Sequence, residues 1–276
     1  MVAPPARPPE RATLREVIAR HGLDARRSLG QHFLLDPTIC ARIAAAAGPL
    51  DGRHIIEIGP GPGGLTRALL DSDAADIVAI ELDHRAIAAL AELAATAPGR
   101  LRVIEADARD HDAAALAPPP RQIIANLPYN VATPLLIGWL RRAADFEQML
   151  LMFQLEVAER ICAPVASPAY GRLSVLAQAV CTAEVALRLP AGAFVPPPKV
   201  DSAVVRLRPR PTPPAPDLLA RLERVTAAAF GQRRKMLRGA LRGLGGTALL
   251  DAAAIAPDRR AETLSVDEFL ALAALI

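Results

Sequence analysis

The chain has 276 residues, of which 52% are hydrophobic, so it can bury the core of one large domain and a smaller appendage. Its apolar runs are short and broken by charges, and residues 1–5 do not begin a signal peptide, so we expect a cytoplasmic protein without membrane segments. The formal net charge of +3 is only a faint indication of a polyanionic partner, and three widely spaced cysteines without a Cys-x-x-Cys pair favour neither a disulfide framework nor a metal site.

Short buried strands alternate with amphipathic helices after a Pro- and Arg-rich stretch, residues 1–12, that we expect to be a mobile tail. This alternation is typical of a doubly wound, mostly parallel sheet, in which crossover helices such as 65–70 and 85–95 join the strands. The loop that joins the last two strands is too short for a parallel crossover, so we expect these strands to pair antiparallel. The predicted strands are 54–58, 77–82, 101–105, 122–125, 149–153, 185–189 and 204–207.

The C-terminal part of the sequence predicts a small helical domain behind a stiff linker. Residues 209–216 are rich in proline and cannot form the interior of a helix or sheet. We therefore place one domain at 13–208 and a helical domain at 217–276. Asp217 is expected to be the N-cap of the first helix of that domain, and Ser265 with Glu268 forms a capping-box pattern that opens the last helix.

A glycine-rich loop, residues 57–64, follows the first predicted strand and opens a helix. Glycine lets backbone approach a ligand closely at a helix N-terminus, where N–H groups are free. Gly59, Gly61 and Gly64 also satisfy the dinucleotide fingerprint G-x-G-x-x-G, with Glu81 near the position of the acid that binds ribose. The loop therefore predicts a cofactor that contains adenosine, and a nicotinamide or flavin oxidoreductase stays open beside a methyltransferase.

Polar residues at the ends of the next two strands favour methyl transfer. Asp107 closes the third strand, where its carboxylate could accept the amino group of the donor's adenine or, alternatively, cap a helix or loop. Asn126-Leu127-Pro128-Tyr129 follows the fourth strand. The Asn126 side-chain oxygen and the Pro128 carbonyl could each accept one N–H of a target adenine amine, and Tyr129 could stack on the base. The alternative for this tetrapeptide is a turn that ends the strand.

Two basic zones flank a near-neutral middle of the chain. Between Arg221 and Arg242 seven basic residues stand against the single acid Glu223, and the first thirty residues contain six arginines. Such zones are typical of surfaces that bind nucleic acid, although a solvated helix face has the same pattern.

Several motifs together resemble the ribosomal RNA adenine N6-dimethyltransferases, most closely the small-subunit members of that family. The resemblance covers about residues 26–270 and implies an α/β fold, with a Rossmann-like class I methyltransferase domain and a small all-α C-terminal domain. It also implies that methyl groups pass from S-adenosylmethionine to N6 of two adjacent adenosines near the 3′ end of 16S rRNA, in the 30S subunit or its precursor. The motifs are residues 30–34, 57–64, 81–83, 126–130, 170–174 and 194–202, with 232–235 and 260–265 in the helical unit.

The resemblance implies roles for residues around the methyl donor. His32 and Leu34 line the donor from the N-terminal side, and Gly59 lies under its amino-acid portion. Glu81 holds the ribose, and Asp107 holds the adenine. The family often has asparagine where this chain has His32. The residues predicted to contact the donor are Gln31, His32, Leu34, Glu57, Gly59, Gly61, Gly63, Glu81, Leu82, Asp107, Ala108 and Asn126.

For the target, the resemblance favours Phe194 as a ring that covers the face of a flipped adenine opposite Tyr129. The alternative role for Phe194 is a hydrophobic plug at the sheet edge. The residues predicted to take part in catalysis are Asn126, Pro128, Tyr129 and Phe194, and those predicted to bind RNA are Arg233, Arg234, Lys235 and Arg238.

Three other functions stay open for this sequence. A large-subunit (23S) rRNA adenine methyltransferase of the antibiotic-resistance type shares the catalytic motifs, but segment 170–174 and the basic cluster at 233–235 favour the small-subunit type. A non-catalytic ribosome-assembly factor and an NAD- or FAD-dependent oxidoreductase are the alternatives from other classes. We expect a monomer with no membrane partner.

Overall fold

A seven-stranded mixed sheet forms the centre of the protein in the computed structural model, which describes residues 12–25, 31–232 and 235–276. Nearly all of the predicted tail, Gly30 of the first motif, and Arg233 and Arg234 lie outside these described residues. The strands are β1 (Phe33–Leu34), β2 (His54–Ile58), β3 (Asp76–Glu81), β4 (Leu101–Glu105), β5 (Arg121–Ala125), β6 (Gln148–Gln154), β7 (Cys181–Leu189), β8 (Phe194–Val195) and β9 (Ser202–Pro209).

Helices cover both faces of the sheet and form the C-terminal unit. Several begin at a side-chain cap; Asp83, for example, accepts the backbone N–H of Arg85 at the start of the fourth helix. The helices are α1 (Leu14–His21), α2 (Pro37–Ala46), α3 (Gly64–Leu70), α4 (His84–Ala95), α5 (Tyr129–Leu140), α6 (Leu155–Cys162), α7 (Arg172–Val180), α8 (Pro216–Gly231), α9 (Leu237–Ala240), α10 (Gly246–Ala252) and α11 (Val266–Ala274).

The strand order across the large sheet is β4-β3-β2-β5-β6-β9-β7. The first five strands in this order are parallel, and β9 is antiparallel to both of its neighbours, β6 and β7. The predicted α/β fold with an antiparallel last strand is therefore confirmed. Its position between β6 and β7 was not predicted, because the sequence shows only that β7 and β9 pair and not which other strand β9 meets.

The two faces of the sheet carry two separate hydrophobic layers. Ile55 and Ile124 belong to one layer, and their chain neighbours Ile56 and Ile123 belong to the other, as strand alternation requires. The second layer continues into the C-terminal helices, where Phe269 is part of the same buried cluster. The helical unit therefore packs on one face of the sheet through apolar contacts.

Local predictions for the C-terminal region had mixed outcomes. Ser265 and Glu268 form the predicted capping box at the start of α11. Asp217 is not the N-cap of α8, because that cap is Ala215. Pro216 occupies the first turn, where the backbone N–H that proline lacks has no partner within the helix. Pro209 belongs to β9 rather than to the linker. A proline is tolerated there because the strand ends at this residue, so the backbone N–H that proline lacks is not required to continue the ladder.

A two-stranded ribbon ties the N-terminal segment to the Pro-rich loop near the end of the sheet. In this ribbon β1 pairs antiparallel with β8, so that Phe33 lies opposite Val195 and Leu34 opposite Phe194. These strands are more than 150 residues apart in the chain, and nothing local in either segment predicts the pairing. Among the described residues, no helix has the length and apolar character needed to cross a bilayer.

Candidate active site

A cavity of about 300 Å³ lies at the carboxyl ends of β2, β3, β4 and β5, where open α/β sheets bind ligands. The glycine-rich loop, the 31–34 segment and the start of α5 enclose it. The predicted site residues that line it are Gln31, His32, Leu34, Glu57, Gly59, Gly61, Glu81, Leu82, Asp107, Ala108, Asn126, Pro128 and Tyr129. Gly63 and Phe194 are absent from the lining.

Two glycines of the loop are required by close packing. Gly59 has φ +66°, and a Cβ there would lie 3.3 Å from the Pro128 ring. A Cβ on Gly64 would lie 2.4 Å from the Leu34 carbonyl oxygen, which is closer than real Cβ atoms approach. Glycine at these positions lets the loop lie against both the 31–34 segment and the start of α5, and so brings three chain segments to one cavity.

Glu81 lies at the end of β3 and organises the backbone around the cavity. One carboxylate oxygen accepts the N–H groups of Leu82 and Asp83 at 2.8 and 2.9 Å, and the other accepts the N–H of Gly61 at 3.0 Å. Burial raises the pKa of Glu81, and these backbone hydrogen bonds oppose the shift. A carboxylate has about four acceptor positions, so one acceptor position stays open toward a hydroxyl.

Glu57 is a second buried carboxyl group that lines the cavity. Its side chain is 1% exposed, and among the described residues its Oε2 has no hydrogen-bond partner. Burial is the main cause that raises its pKa to about 8, and the nearby Glu81 carboxylate adds to the shift. The protonated form of Glu57 is therefore favoured at neutral pH in the ligand-free protein. A cationic ligand in the cavity would favour its ionised form.

We expect the protein to lose stability as pH rises from about 5 to 8 because of Glu57. The folded-state pKa lies above the unfolded value, so the native state holds the extra proton in that window and loses its advantage as pH rises through 8. Glu57→Gln should remove on the order of a few kcal/mol of this pH dependence. Urea unfolding from pH 5 to 9 measures it, with Glu147→Gln as the exposed control. Equal pH slopes in wild type and Glu57→Gln would contradict an ionisable role for this group.

Asp107 follows β4 and is held by the arginine two residues later. Its carboxylate accepts the Arg109 backbone N–H at 2.9 Å and pairs with the Arg109 guanidinium at 2.6 Å. These contacts lower the pKa of Asp107 to about 2. The residue thus caps a short 3-10 helix, as its alternative reading predicts, and also lines the cavity. Arg109 also lines the cavity and was not predicted from the sequence. Its position two residues after Asp107 could have indicated the ion pair.

The Asn126 side chain is oriented by the backbone of the 31–34 segment. Its amide nitrogen donates to the His32 carbonyl oxygen at 3.3 Å. An amide that donates on one side presents its oxygen on the other, and no other described residue donates to Asn126 Oδ1. The side chain thus keeps an acceptor without a donor among the described residues at the cavity, and its hydrogen bond to an amine N–H stays a prediction.

Pro128 does not have the geometry predicted for it. Its carbonyl oxygen caps α5 and accepts the N–H groups of Val131 and Ala132, both at 3.1 Å. A carbonyl has two lone pairs, so little capacity is left for a ligand. The neighbouring residue Leu127 also lines the cavity, and its carbonyl accepts no hydrogen bond from the described residues, so it has more acceptor capacity left for a ligand. The sequence analysis did not predict where α5 begins, and its start at Tyr129 is what engages the Pro128 carbonyl.

Tyr129 is held from two sides. Its hydroxyl lies 2.6 Å from Ser202 Oγ, and its ring stacks on the His32 ring with centroids 5.5 Å apart and planes at 28°. His32 Nδ1 in turn bonds the Pro196 carbonyl oxygen at 2.8 Å. The His32 side chain therefore orients the Tyr129 ring, whereas its backbone carbonyl orients Asn126.

Phe194 lies elsewhere than its predicted stacking role requires. The ring is 1% exposed and belongs to the buried layer beneath the β1–β8 ribbon. The structure therefore favours the alternative of a hydrophobic plug, and the stacking role is not supported by this position. Gly63 is likewise displaced from the cavity, because it is the left-handed N-cap of α3.

Of the residues predicted to bind RNA, Lys235 and Arg238 are exposed, whereas Arg233 and Arg234 lie outside the described residues. Within the described ranges, no group of three His, Cys, Asp or Glu side chains is arranged to hold a metal ion. The three cysteines are free, and Cys40 and Cys181 are buried.

The fold and the cavity define a Rossmann-like methyltransferase. The chain belongs to the ribosomal RNA adenine dimethylase family, because the profile of that family matches residues 22–276. The membership predicted from the motifs is thus confirmed, and the oxidoreductase alternative is wrong.

Curated relatives and solved structures agree with this membership. The chain is 61% identical over 99% of its length to the ribosomal RNA small subunit methyltransferase A of Gluconobacter oxydans, of which it covers 91%. It is 59% identical over 94% of its length to the same-named protein of Rhodospirillum rubrum, again covering 91%. A dimethyladenosine transferase from Plasmodium falciparum aligns over 87% of this chain and 96% of its own with a TM-score of 0.73 and 25% identity. The 23S rRNA methyltransferase ErmE aligns over 88% of this chain and 98% of its own length, with a TM-score of 0.67 and 28% identity.

Proposed function

We propose that this protein transfers methyl groups from S-adenosylmethionine to N6 of two adjacent adenosines near the 3′ end of 16S rRNA, during biogenesis of the 30S subunit. The observation that carries the proposal is the Asn126 amide at the cavity formed by the glycine loop and Glu81: its nitrogen donates to the His32 carbonyl, and its oxygen has no donor among the described residues. The names of the relatives that are 59–61% identical to this chain support the small subunit as the substrate.

The residues in the cavity fit S-adenosylmethionine. An open acceptor position on Glu81 suits the ribose hydroxyls, and the buried Glu57 carboxyl suits the cationic portion of the donor. Asp107 at the neighbouring strand end suits the adenine amino group. Its carboxylate now accepts hydrogen bonds from Arg109, and it would accept one from the amine as well when the donor is bound. When bound, the donor supplies an electrophilic methyl group.

The chain itself orients the target amine and stabilises charge that develops on it. An adenine amine is a poor nucleophile because its lone pair is delocalised into the ring. Asn126 Oδ1 accepts one N–H and so favours a pyramidal nitrogen in the transition state. Tyr129, fixed by Ser202 and His32, aligns the base. No general base is needed, because the methylated ammonium product is acidic enough to lose its proton.

We expect Asp107→Asn to weaken binding of S-adenosylmethionine by about tenfold, since an acceptor of a charge-assisted hydrogen bond is replaced by a weaker one. The rate at saturating donor should change much less, because Asp107 does not contact the amine that is methylated. Calorimetric titration with the donor and with S-adenosylhomocysteine measures the affinity. Asp110→Asn is the matched control, because Asp110 is an exposed acid three residues later. If Asp107→Asn binds the donor as tightly as wild type, Asp107 only caps the short 3-10 helix and does not bind the donor.

A single assay tests the function. The protein is incubated with methyl-labelled S-adenosylmethionine and undermethylated small or large ribosomal subunits, and stops of reverse transcription locate the modified bases. Two adjacent stops near the 3′ end of 16S rRNA are expected. Modification of 23S rRNA favours the large-subunit alternative, and binding without methylation favours an assembly factor.

The proposal includes a cytoplasmic monomer whose partner is 16S rRNA within the 30S subunit or its precursor. Arg233, Arg234, Lys235 and Arg238 remain the residues predicted to bind RNA in the helical unit. We also propose a methyltransferase domain and a helical domain; their predicted bounds of 13–208 and 217–276 move by one residue, because Pro209 ends β9 and Pro216 begins α8, which leaves 210–215 as the linker.

A further inference from the structure

The segment Tyr170–Ser174 makes a set of hydrogen bonds that the methyl-transfer site does not explain. Tyr170 is fully buried, and its hydroxyl donates to the Leu264 carbonyl oxygen at 3.0 Å, which joins α7 to the helical unit. Ser174 Oγ accepts the Gly171 N–H at 3.0 Å and donates to the Arg160 carbonyl. These contacts fix the backbone on both sides of Arg172, the one charged residue of the segment.

Arg172 lies in a cleft of about 350 Å³ between the sheet domain and the helical unit. The cleft is separate from the donor cavity, because the two share no lining residue. Its apolar floor comes from α8, and its charged groups come from the residue after α5, from α7 and from α8. The lining residues are Arg141, Arg172, Pro216, Leu219, Ala220, Glu223, Arg224 and Ala227.

The cleft carries an excess of positive charge. Arg141 and Glu223 neutralise each other through two hydrogen bonds of 2.8 Å each. Arg172 and Arg224 are exposed, and within the described ranges neither side chain forms a hydrogen bond or ion pair with another residue. Two guanidinium groups on a well-anchored framework are thus available to a ligand.

The chemistry of these groups fits phosphate. Guanidinium groups bind phosphate oxygens through paired N–H donors, and their aliphatic stems can lie on an apolar floor. An RNA backbone presents phosphates in series, so two arginines in one cleft can bind a single strand or duplex edge. We propose that Arg172 and Arg224 bind the phosphate backbone of the substrate RNA in the cleft between the two units. This inference rests on the proposed function for the identity of the RNA.

The experiment compares charge-neutralised variants with a charge-matched control. Binding of undermethylated small ribosomal subunits is measured from 50 to 200 mM KCl for wild type, Arg172→Gln/Arg224→Gln and Arg42→Gln/Arg102→Gln. The control arginines are exposed, lie on α2 and on the edge strand β4, and do not line the cleft. Both double variants lose the same net charge, so the comparison isolates the position of that charge.

The cleft variant should lower the slope of log affinity against log salt concentration by about 1.5, as expected for two lost phosphate contacts. Its KM for the subunits should rise about tenfold with kcat and donor affinity unchanged, because the cleft does not touch the reacting atoms. Glu223→Gln should act in the opposite direction, since it frees Arg141. The control variant should behave like wild type.

A salt slope in the cleft variant equal to that of the control would overturn the inference. Loss of binding to a poly-glutamate peptide with an unchanged RNA slope would overturn it in favour of an acidic protein partner. Failure of the wild type to methylate either subunit would count against the proposed function, whereas the salt slopes would still decide whether the cleft binds RNA.

Discussion

Asn126→Ala is expected to slow methyl transfer by about 100-fold or more while donor affinity stays nearly unchanged. The loss follows from the geometry of the amide, whose nitrogen is held by the His32 carbonyl and whose oxygen is the acceptor in the cavity. Removing one preorganised acceptor costs on the order of 3 kcal/mol in the transition state. The other residues predicted to contact the donor are unchanged in this variant, so donor binding should persist.

Single-turnover rates with saturating donor and undermethylated small subunits measure this effect without interference from product release. Asn130→Ala is the matched control, because Asn130 also lines the cavity and is exposed, and no described residue bonds its side chain. A rate in Asn126→Ala within a few-fold of wild type would remove Asn126 from the catalytic machinery. A parallel loss of donor affinity would instead indicate that the amide mainly positions the 31–34 segment.

Phe194→Ala is expected to destabilise the fold by about 3–5 kcal/mol, because it removes a large ring from a closed core. The ring packs beneath the β1–β8 ribbon, opposite Leu34 in the register. Since Leu34 lines the donor cavity, the same change should also weaken donor binding. Thermal unfolding should show a decrease in Tm of roughly 10 °C.

Phe194→Leu separates the two roles considered for this residue. A leucine keeps most of the buried apolar volume, so the cost in stability should be about 1 kcal/mol. If Phe194 is only a plug, methyl transfer by this variant should be near the wild-type rate. A folded Phe194→Leu protein with a rate reduced more than about tenfold would show that the ring reaches the target base during the reaction.

Much of the cavity follows from local rules. A glycine-rich loop after a buried strand, and polar residues at the carboxyl ends of successive parallel strands, must meet at one edge of the sheet once the order of the strands is doubly wound. The strands β2 and β4 have the predicted limits, whereas β7 begins four residues before its predicted start at 185. Glu81, Asp107 and Asn126 all line one cavity.

The roles of individual groups at that edge depended on partners distant in the chain. Whether Phe194 faces a base or the core depends on the pairing of β8 with β1, and the orientation of Asn126 depends on the His32 carbonyl 94 residues away. The acceptor capacity of Pro128 depends on where α5 begins.

Hydrophobic periodicity, turn residues and helix caps are local properties, so the amino-acid sequence by itself determined the class of sheet, the glycine-rich loop at its edge and the motifs that define the family. Side-chain hydrogen bonds and the closing of one segment on another depend on long-range packing. Only the tertiary structure therefore decided which side chains enter the cavity, which acceptors remain open, and that Arg172 and Arg224 meet in a cleft between the two units.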